Sequence, residues 1–356
     1  MWMSDKSRRK RSTASAASTA RSDQRSDPKP SRYKIRRKIP DPKYSLDEIV
    51  RPHVPKSPRR PKQKDEQLGL ASVEAVSPEE AQPFLKWVGG KAQLLKQFEK
   101  FFPKQIERFV EPFVGGGAVF FHLKQRFPQM RAFLRDNNDE LINAYIAVRD
   151  FPRELMRRLD RHLAAFNAER ENYFYLVRGD HHLATTTRTV ERAARMIFLN
   201  KTCFNGLWRV NSRGEFNVPI GSHKNPALYD EQNIYAASRA LQGIHLVTQD
   251  FRDTIRQTRR GDFVYIDPPY YPVSPTASFT SYTKDDFGEE QQHELAAYFT
   301  DAANRGVSLM LSNSDTEFIR HLYRNFAIHT VSARRMVNCD GTKRGAVNEV
   351  VITAGE

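Results

Sequence analysis

Phe263-Val264-Tyr265-Ile266-Asp267-Pro268-Pro269-Tyr270 is an apolar strand that runs straight into a carboxylate, two prolines and an aromatic ring. An unbroken apolar run closed by turn residues fits a strand buried on both faces, as in the parallel sheets of α/β proteins. Ligands of such sheets bind at the carboxyl ends of the strands. Asp267 there offers an acceptor for the hydrogen of an exocyclic amine, and the Pro268 carbonyl offers a second. The prolines stiffen the turn and remove competing N–H donors. Tyr270 supplies a ring for stacking. Together these groups suit a flat, amine-bearing ring.

Outward from this junction, further short runs read as strands at 107–111, 131–135, 244–249, 307–312, 326–333 and 346–353. Longer amphipathic stretches separate most of them, which predicts an α/β fold with a mostly parallel sheet and helices on both faces. Residues 150–243 break the alternation. Helical patterns at 154–166 and 190–200 are followed by Phe204–Val218, where alternating residues around Ser212-Arg213-Gly214 predict a β-hairpin with a glycine-assisted turn. This stretch is expected to be a mainly helical insertion between two halves of the sheet.

The charge is unevenly placed. Residues 1–64 carry 20 Lys/Arg against 6 Asp/Glu, a surplus of 14 that accounts for nearly all of the formal net charge of +15. The segment is rich in Ser and Pro and poor in aliphatic runs, so a disordered basic extension is expected over 1–82, with order from about Pro83. Blocks such as Arg8-Arg9-Lys10-Arg11 and Arg36-Arg37-Lys38 suit nucleic-acid phosphates, and they suit a solvated tail equally well. No apolar leader follows the basic start, and no run reaches the ~18 residues of a membrane span, so no membrane partner is expected. Cys203 and Cys339 stand far apart in no metal-ligand spacing, so no metal site is argued and a reduced, cytoplasmic compartment is the default.

Two more constellations carry chemistry. Strand 107–111 leads into Glu111-Pro112-Phe113-Val114-Gly115-Gly116-Gly117, where glycines permit a tight turn and close approach of a ligand to the backbone. About twenty residues on, Phe133-Leu134-Arg135-Asp136 ends in a carboxylate suited to ribose hydroxyls. This pair reads as a nucleoside-binding half-fold. A dinucleotide would use similar parts, although the full G-x-G-x-x-G fingerprint is absent. Upstream, Phe84-Leu85-Lys86-Trp87-Val88-Gly89-Gly90-Lys91 adds an aromatic ring, two glycines and two cations.

The segments 84–91, 111–117, 136 and 267–270, with the hairpin 204–221 among them, resemble the Dam-type DNA adenine N6-methyltransferases of the alpha class, the D12 family. The resemblance spans about 83–353 and continues in Ser278-Phe279-Thr280-Ser281-Tyr282, Leu311-Ser312-Asn313-Ser314-Asp315-Thr316 and Asn348-Glu349. It implies a Rossmann-like, S-adenosylmethionine-dependent catalytic domain built from 83–149 and 244–356. Residues 150–243 would form a target-recognition insert. It also implies a double-stranded DNA substrate, a monomer and a nucleoid-associated location, while a restriction endonuclease partner cannot be read from the sequence.

Residue by residue, the resemblance implies that Asp267, Pro268 and Tyr270 are catalytic. It places Trp87 and Lys91 at the methionine portion of the cofactor, with Glu111, Gly115, Gly117 and Asp267 also lining its site. Asp136 would take the ribose hydroxyls, and Asp250 and Phe251 would flank the cofactor adenine. Leu207, Arg209, Asn211 and Pro219 would face DNA, Arg209 reading guanine or binding only phosphate. GATC-specific relatives often carry a guanine-reading arginine after the match to Val218-Pro219-Ile220-Gly221, where this chain has Ser222-His223-Lys224. A GAT-containing site therefore fits as well as GATC. An N4-cytosine methyltransferase would share the tetrad, though Asp267 favours adenine. A catalytically silent DNA-binding protein is the reading from another class. A nicotinamide-dependent dehydrogenase would need a hydride-acceptor site, and none is suggested.

Overall fold

The computed structural model describes residues 81–181, 188–273, 287–334 and 346–355. The first 80 residues, the resemblance at 278–282 and Cys339 lie outside them. In chain order the elements are α1 (Leu95–Phe98), β1 (Arg108–Glu111), α2 (Ala118–Arg126), β2 (Arg131–Asp136), α3 (Asp139–Asp150), α4 (Pro152–Ala168), α5 (Arg170–Gly179), α6 (Val190–Thr202), α7 (Glu231–Ala240), β3 (His245–Thr248), α8 (Phe251–Arg256), β4 (Asp262–Ile266), α9 (Glu289–Asn304), β5 (Ser308–Ser314), α10 (Glu317–Leu322), β6 (Ala327–Arg334) and β7 (Ala346–Ala354). Each of the strands expected from the sequence forms, with ends shifted by one or two residues.

The strands build one seven-stranded sheet in the order β3-β2-β1-β4-β5-β7-β6. Strands β1 to β5 pair in parallel, whereas β7 runs antiparallel to both β5 and β6. The order reverses between β1 and β4. At that switch point the connections leave to opposite sides, the position beyond the carboxyl ends of the strands where open α/β sheets bind their ligands.

Alternation along β4 shows why the run 263–266 is apolar throughout. Phe263 and Tyr265 enter a core shared with α2 to α7 and the segment 81–102. Val264 and Ile266 enter a second core, built with α8, α9 and α10. Both faces are covered, and each fully buried aromatic or aliphatic side chain contributes roughly 1.5–3 kcal/mol. The helices of 152–202 belong to the first of these cores and do not form one of their own. Helix starts follow local chemistry: Asn138, Thr189 and Asp230 accept from backbone N–H groups at the starts of α3, α6 and α7, and Pro152 opens α4.

Beyond α6 the chain forms an irregular hairpin. Antiparallel bridges join Cys203 to Ile220 and Val210 to Phe216, and the Asn211 N–H donates to the Glu215 carbonyl at 2.9 Å. Gly214, at φ +81°, makes the turn. Trp208, Phe216 and Val218 are buried beneath it.

Candidate functional site

The carboxyl ends of β1, β2 and β4 bring Glu111, Asp136 and Asp267 to one edge of the sheet. Parallel pairing in register, with Glu111 opposite Leu134, makes this convergence a consequence of topology. Lys91 reaches the same place from the segment before α1. Only 4% of its side-chain surface is exposed, and its Nζ lies 2.8 Å from Asp267 Oδ2. The ammonium also donates to the Gly89 carbonyl and sits 4.8 Å from the centre of the Tyr270 ring, within cation–π range.

One lysine does not balance these acids. Asp267 keeps 21% of its side-chain surface exposed, yet burial raises its pKa to about 6 against the pull of Lys91, and nearby Glu349 pushes the same way as burial. Burial also raises Asp136 to about 6, opposed by the N–H groups of Asn138, Gly115 and Asn137. Glu111 is raised well above the usual carboxylate range, first by burial and then by Asp267 and Asp136. Glu111 Oε2 and Asp267 Oδ1 are buried with no hydrogen-bond partner. Such a cluster favours a cationic guest.

The glycine turn lies against it. Asp136 Oδ2 accepts from Gly115 N–H at 3.2 Å, and Oδ1 accepts from Asn138 N–H at 3.0 Å. Gly115 and Gly117 have φ of +47° and +71°. A Cβ on Gly115 would fall 2.7 Å from Trp87 Cδ1, and one on Gly117 would fall 2.5 Å from the Tyr145 hydroxyl. Trp87 thus packs directly on the turn. Tyr145, which sequence reasoning missed, ties the turn down by donating to the Gly115 carbonyl at 3.0 Å.

Asp250 and Phe251 follow β3 beside Asp136, since Gln249 N–H donates to the Asp136 carbonyl at 3.0 Å. Asp250 caps α8, accepting from Arg252 N–H at 2.8 Å. The Phe251 ring is buried and stacks on Phe113 at 5.4 Å.

The Asp267–Tyr270 turn is fastened from behind by buried amides. Gln292 Nε2 donates to the Pro269 carbonyl at 2.9 Å, and its Oε1 accepts from Asn313 Nδ2 at 3.1 Å. Asn313 Oδ1 accepts from Tyr271 N–H at 3.1 Å, while Ser314 Oγ donates to the Tyr271 carbonyl at 2.7 Å. Among the described residues nothing donates to the Pro268 carbonyl. Gln292 does not stand out in the sequence, and Asn313 enters only within the family-like stretch Leu311–Thr316, with no role of its own. A further signal there is polarity: Ser312-Asn313-Ser314 ends a strand that is otherwise buried and apolar.

The hairpin separates its side chains by alternation. Leu207, Arg209, Asn211 and Pro219 lie out of phase with the buried Trp208, Phe216 and Val218, and Arg209 and Pro219 are exposed. Arg209 Nε donates to Asn217 Oδ1 at 2.8 Å, which holds the guanidinium on that outer side. Arg170 Nη2 fixes the following loop by donating to the carbonyls of Gly221 and His223 at 2.7 and 2.9 Å. Asn200, fully buried, links hairpin and acidic site: its Nδ2 donates to the carbonyls of Lys86 and Gly206, at 2.8 and 3.0 Å.

Comparisons with known proteins bear on the whole arrangement. The family model for D12 class N6 adenine-specific DNA methyltransferases matches residues 87–337. The type II methyltransferase M.MjaIII of Methanocaldococcus jannaschii is 43% identical over 276 residues, 74% of this chain and 96% of that protein. The type II methyltransferase M1.LlaDCHI of Lactococcus lactis subsp. cremoris is 40% identical over 278 residues, 76% of this chain and 94% of that protein. The DNA adenine methylase of Serratia marcescens is 36% identical over 274 residues, with coverage of 75% and 96%.

Proposed function

Because the chain belongs to the D12 class of N6 adenine-specific DNA methyltransferases, we propose that it methylates N6 of an adenine flipped out of duplex DNA. The target is GATC or a related GAT-containing site, and the methyl donor is S-adenosylmethionine. The observation that carries this reading is the pair of unused acceptors at the end of β4: Asp267 Oδ1 has no partner, and the Pro268 carbonyl receives no hydrogen bond among the described residues.

The site suits the donor. An acidic cluster with two orphaned carboxylate oxygens matches a cationic sulfonium, and glycines in the turn let a ligand come close to the backbone. Trp87, Lys91 and Glu111 would hold the methionine portion, Gly115 and Gly117 would lie beneath it, and Asp136 would take the ribose hydroxyls. Asp250 and Phe251 would border the adenine. Bound there, S-adenosylmethionine supplies an electrophilic methyl group.

The residues of the chain prepare the nucleophile. The amine lone pair of adenine is delocalised into the ring. Accepting the two N6 hydrogens at Asp267 and at the Pro268 carbonyl localises it on nitrogen and orients it, and such positioning supplies much of the rate. The raised pKa of Asp267 lets its carboxylate take up the proton that the methylated amine must lose. Stacking in the duplex hides N6, so the base must leave the helix, and Tyr270 receives it. Residues 150–243 would serve target recognition, with Arg209 on the outer side of the hairpin reading a guanine.

The test is incubation with labelled S-adenosylmethionine and unmethylated duplex DNA, followed by digestion to nucleosides. N6-methyldeoxyadenosine is the expected product. N4-methyldeoxycytidine would overturn the choice of base, and an unlabelled digest would favour a silent binder. Oligonucleotides varied at the flanking positions then define the site; strict GATC dependence would refute relaxed recognition.

A further inference from the structure

Glu349 belongs to the last strand, yet it stands at the catalytic edge. Topology explains this. Because β7 runs antiparallel, its early residues lie beside the carboxyl ends of the parallel strands, and Glu349 falls opposite Ser314 of β5. There its Oε2 accepts from the Tyr270 hydroxyl at 2.8 Å. The same hydroxyl lies near enough to Asp267 to favour its ionised form. One phenolic proton thus faces two carboxylates.

We propose that Glu349 is a positioning residue that captures the Tyr270 hydroxyl, holding the ring as a fixed platform and keeping Asp267 free to accept from the substrate amine. The inference rests on the methyltransferase reading. A phenol has one proton to donate. While Glu349 holds it, Asp267 Oδ1 stays unpartnered, as observed. Without Glu349, Tyr270 would turn its proton to Asp267 and occupy the acceptor that the amine needs. The ring is also fixed before the base arrives: Lys91 lies over it at 4.8 Å and Glu349 anchors its far end. A preset platform leaves less freedom to lose on binding.

The experiment compares wild type, Glu349→Leu, Glu349→Gln, Tyr270→Phe and the double variant Tyr270→Phe/Glu349→Leu. Single-turnover methylation and S-adenosylmethionine affinity by calorimetry are measured for each. Glu349→Leu is expected to slow transfer on the order of 10–100-fold while changing cofactor affinity less than about 3-fold. Glu349→Gln keeps a neutral acceptor and should recover most of the rate. Tyr270→Phe removes the proton in dispute, so adding Glu349→Leu to it should cost little more, a non-additivity expected of directly coupled residues. Equal multiplicative losses, or a Glu349→Leu enzyme as fast as wild type, would overturn the proposal. Should Glu349→Leu not fold, a Tyr270→Phe enzyme as fast as wild type would overturn it as well, since a ring without its anchor to Glu349 would then serve equally. The wild-type product is identified first, so failure of the N6-adenine reading shows there and not in the variants.

Discussion

Lys91 Nζ and Asp267 Oδ2 lie 2.8 Å apart, an ion pair that ties the start of the described fold to the end of β4. Lys91 pulls down the pKa of both Asp267 and Glu111. Replacing it with methionine keeps much of the apolar stem and removes the charge. Asp267 should then protonate at higher pH, and methyl transfer near neutrality should fall about 10–100-fold. Raising the pH should recover part of the deficit. Initial rates across pH provide the check; a deficit that does not vary with pH would show that the charge of Lys91 is not what matters.

The wild-type pH profile follows from the same carboxylates. Asp136 and Asp267 are raised from an ordinary value of 3.8 to about 6. In the roles proposed for them their charged forms would accept the ribose and amine hydrogens, so kcat/KM should climb as pH rises through about 6 and level off above it. A cationic cofactor favours the ionised acids, so the corresponding limb in kcat should lie at lower pH. The sign for stability is opposite. Between 3.8 and about 6 the folded chain holds these protons more tightly than the unfolded chain, so the two groups contribute less stability as pH rises through that window. Steady-state profiles with cofactor varied and then saturating test the activity side. A kcat/KM limb at about pH 4, the ordinary carboxylate range, would contradict the raised pKa values.

Much of this site was legible because strand ends in an α/β sheet are chemically marked. Phe263–Ile266 is apolar at every position since both faces are covered, and the carboxylates at the carboxyl ends of β1, β2 and β4 stand where topology gathers ligand groups. Glycines at 115 and 117 were legible for a related reason, as both occupy positive φ. What the sequence hid depends on pairing across long separations. Asn348-Glu349 stood out only as a family-like pair, and the place of Glu349 beside Tyr270 arises because β7 runs antiparallel between β5 and β6. Gln292 reaches Pro269 from the start of α9, an approach that no local pattern announces. The shared core was hidden too, since helical periodicity shows that a face is buried without naming its partner.

The glycine turn should tolerate no side chain. Gly117→Ala places a Cβ 2.5 Å from the Tyr145 hydroxyl at φ +71°. Backbone strain in this region costs roughly 1–2 kcal/mol, and the clash adds to it. The expected result is a lower melting temperature with weakened cofactor binding. Combining Gly117→Ala with Tyr145→Phe should recover only the clash, because the backbone strain persists. Thermal melts of the two single variants and the double variant separate these parts. Full recovery in the double variant would show that the strain is negligible.

Arg209→Ala should distinguish reading of a base from binding of phosphate. If Arg209 contacts a guanine edge, its removal costs about 1–3 kcal/mol on the correct site and flattens discrimination at one base pair. If it contacts phosphate, binding weakens alike on every sequence and the salt dependence becomes shallower by about one unit of slope. Its exposed, tethered position on the outer side of the hairpin favours the first outcome. Binding measured against a set of single-base variants at two salt concentrations decides between them; uniform weakening would remove Arg209 from the recognition code.

The basic extension offers a separate test. Residues 1–64 carry nearly all of the net charge, whereas the family match begins at residue 87. A chain lacking residues 1–78 should therefore still methylate DNA. Its affinity at low salt should drop, and the slope of log K against log salt should become shallower by several units, because each phosphate no longer neutralised takes about 0.9 from that slope. The two lines should converge as salt increases, since counterion release drives association less strongly in concentrated salt. An unchanged slope would mean that the extension neutralises no phosphates and that the folded part binds DNA alone.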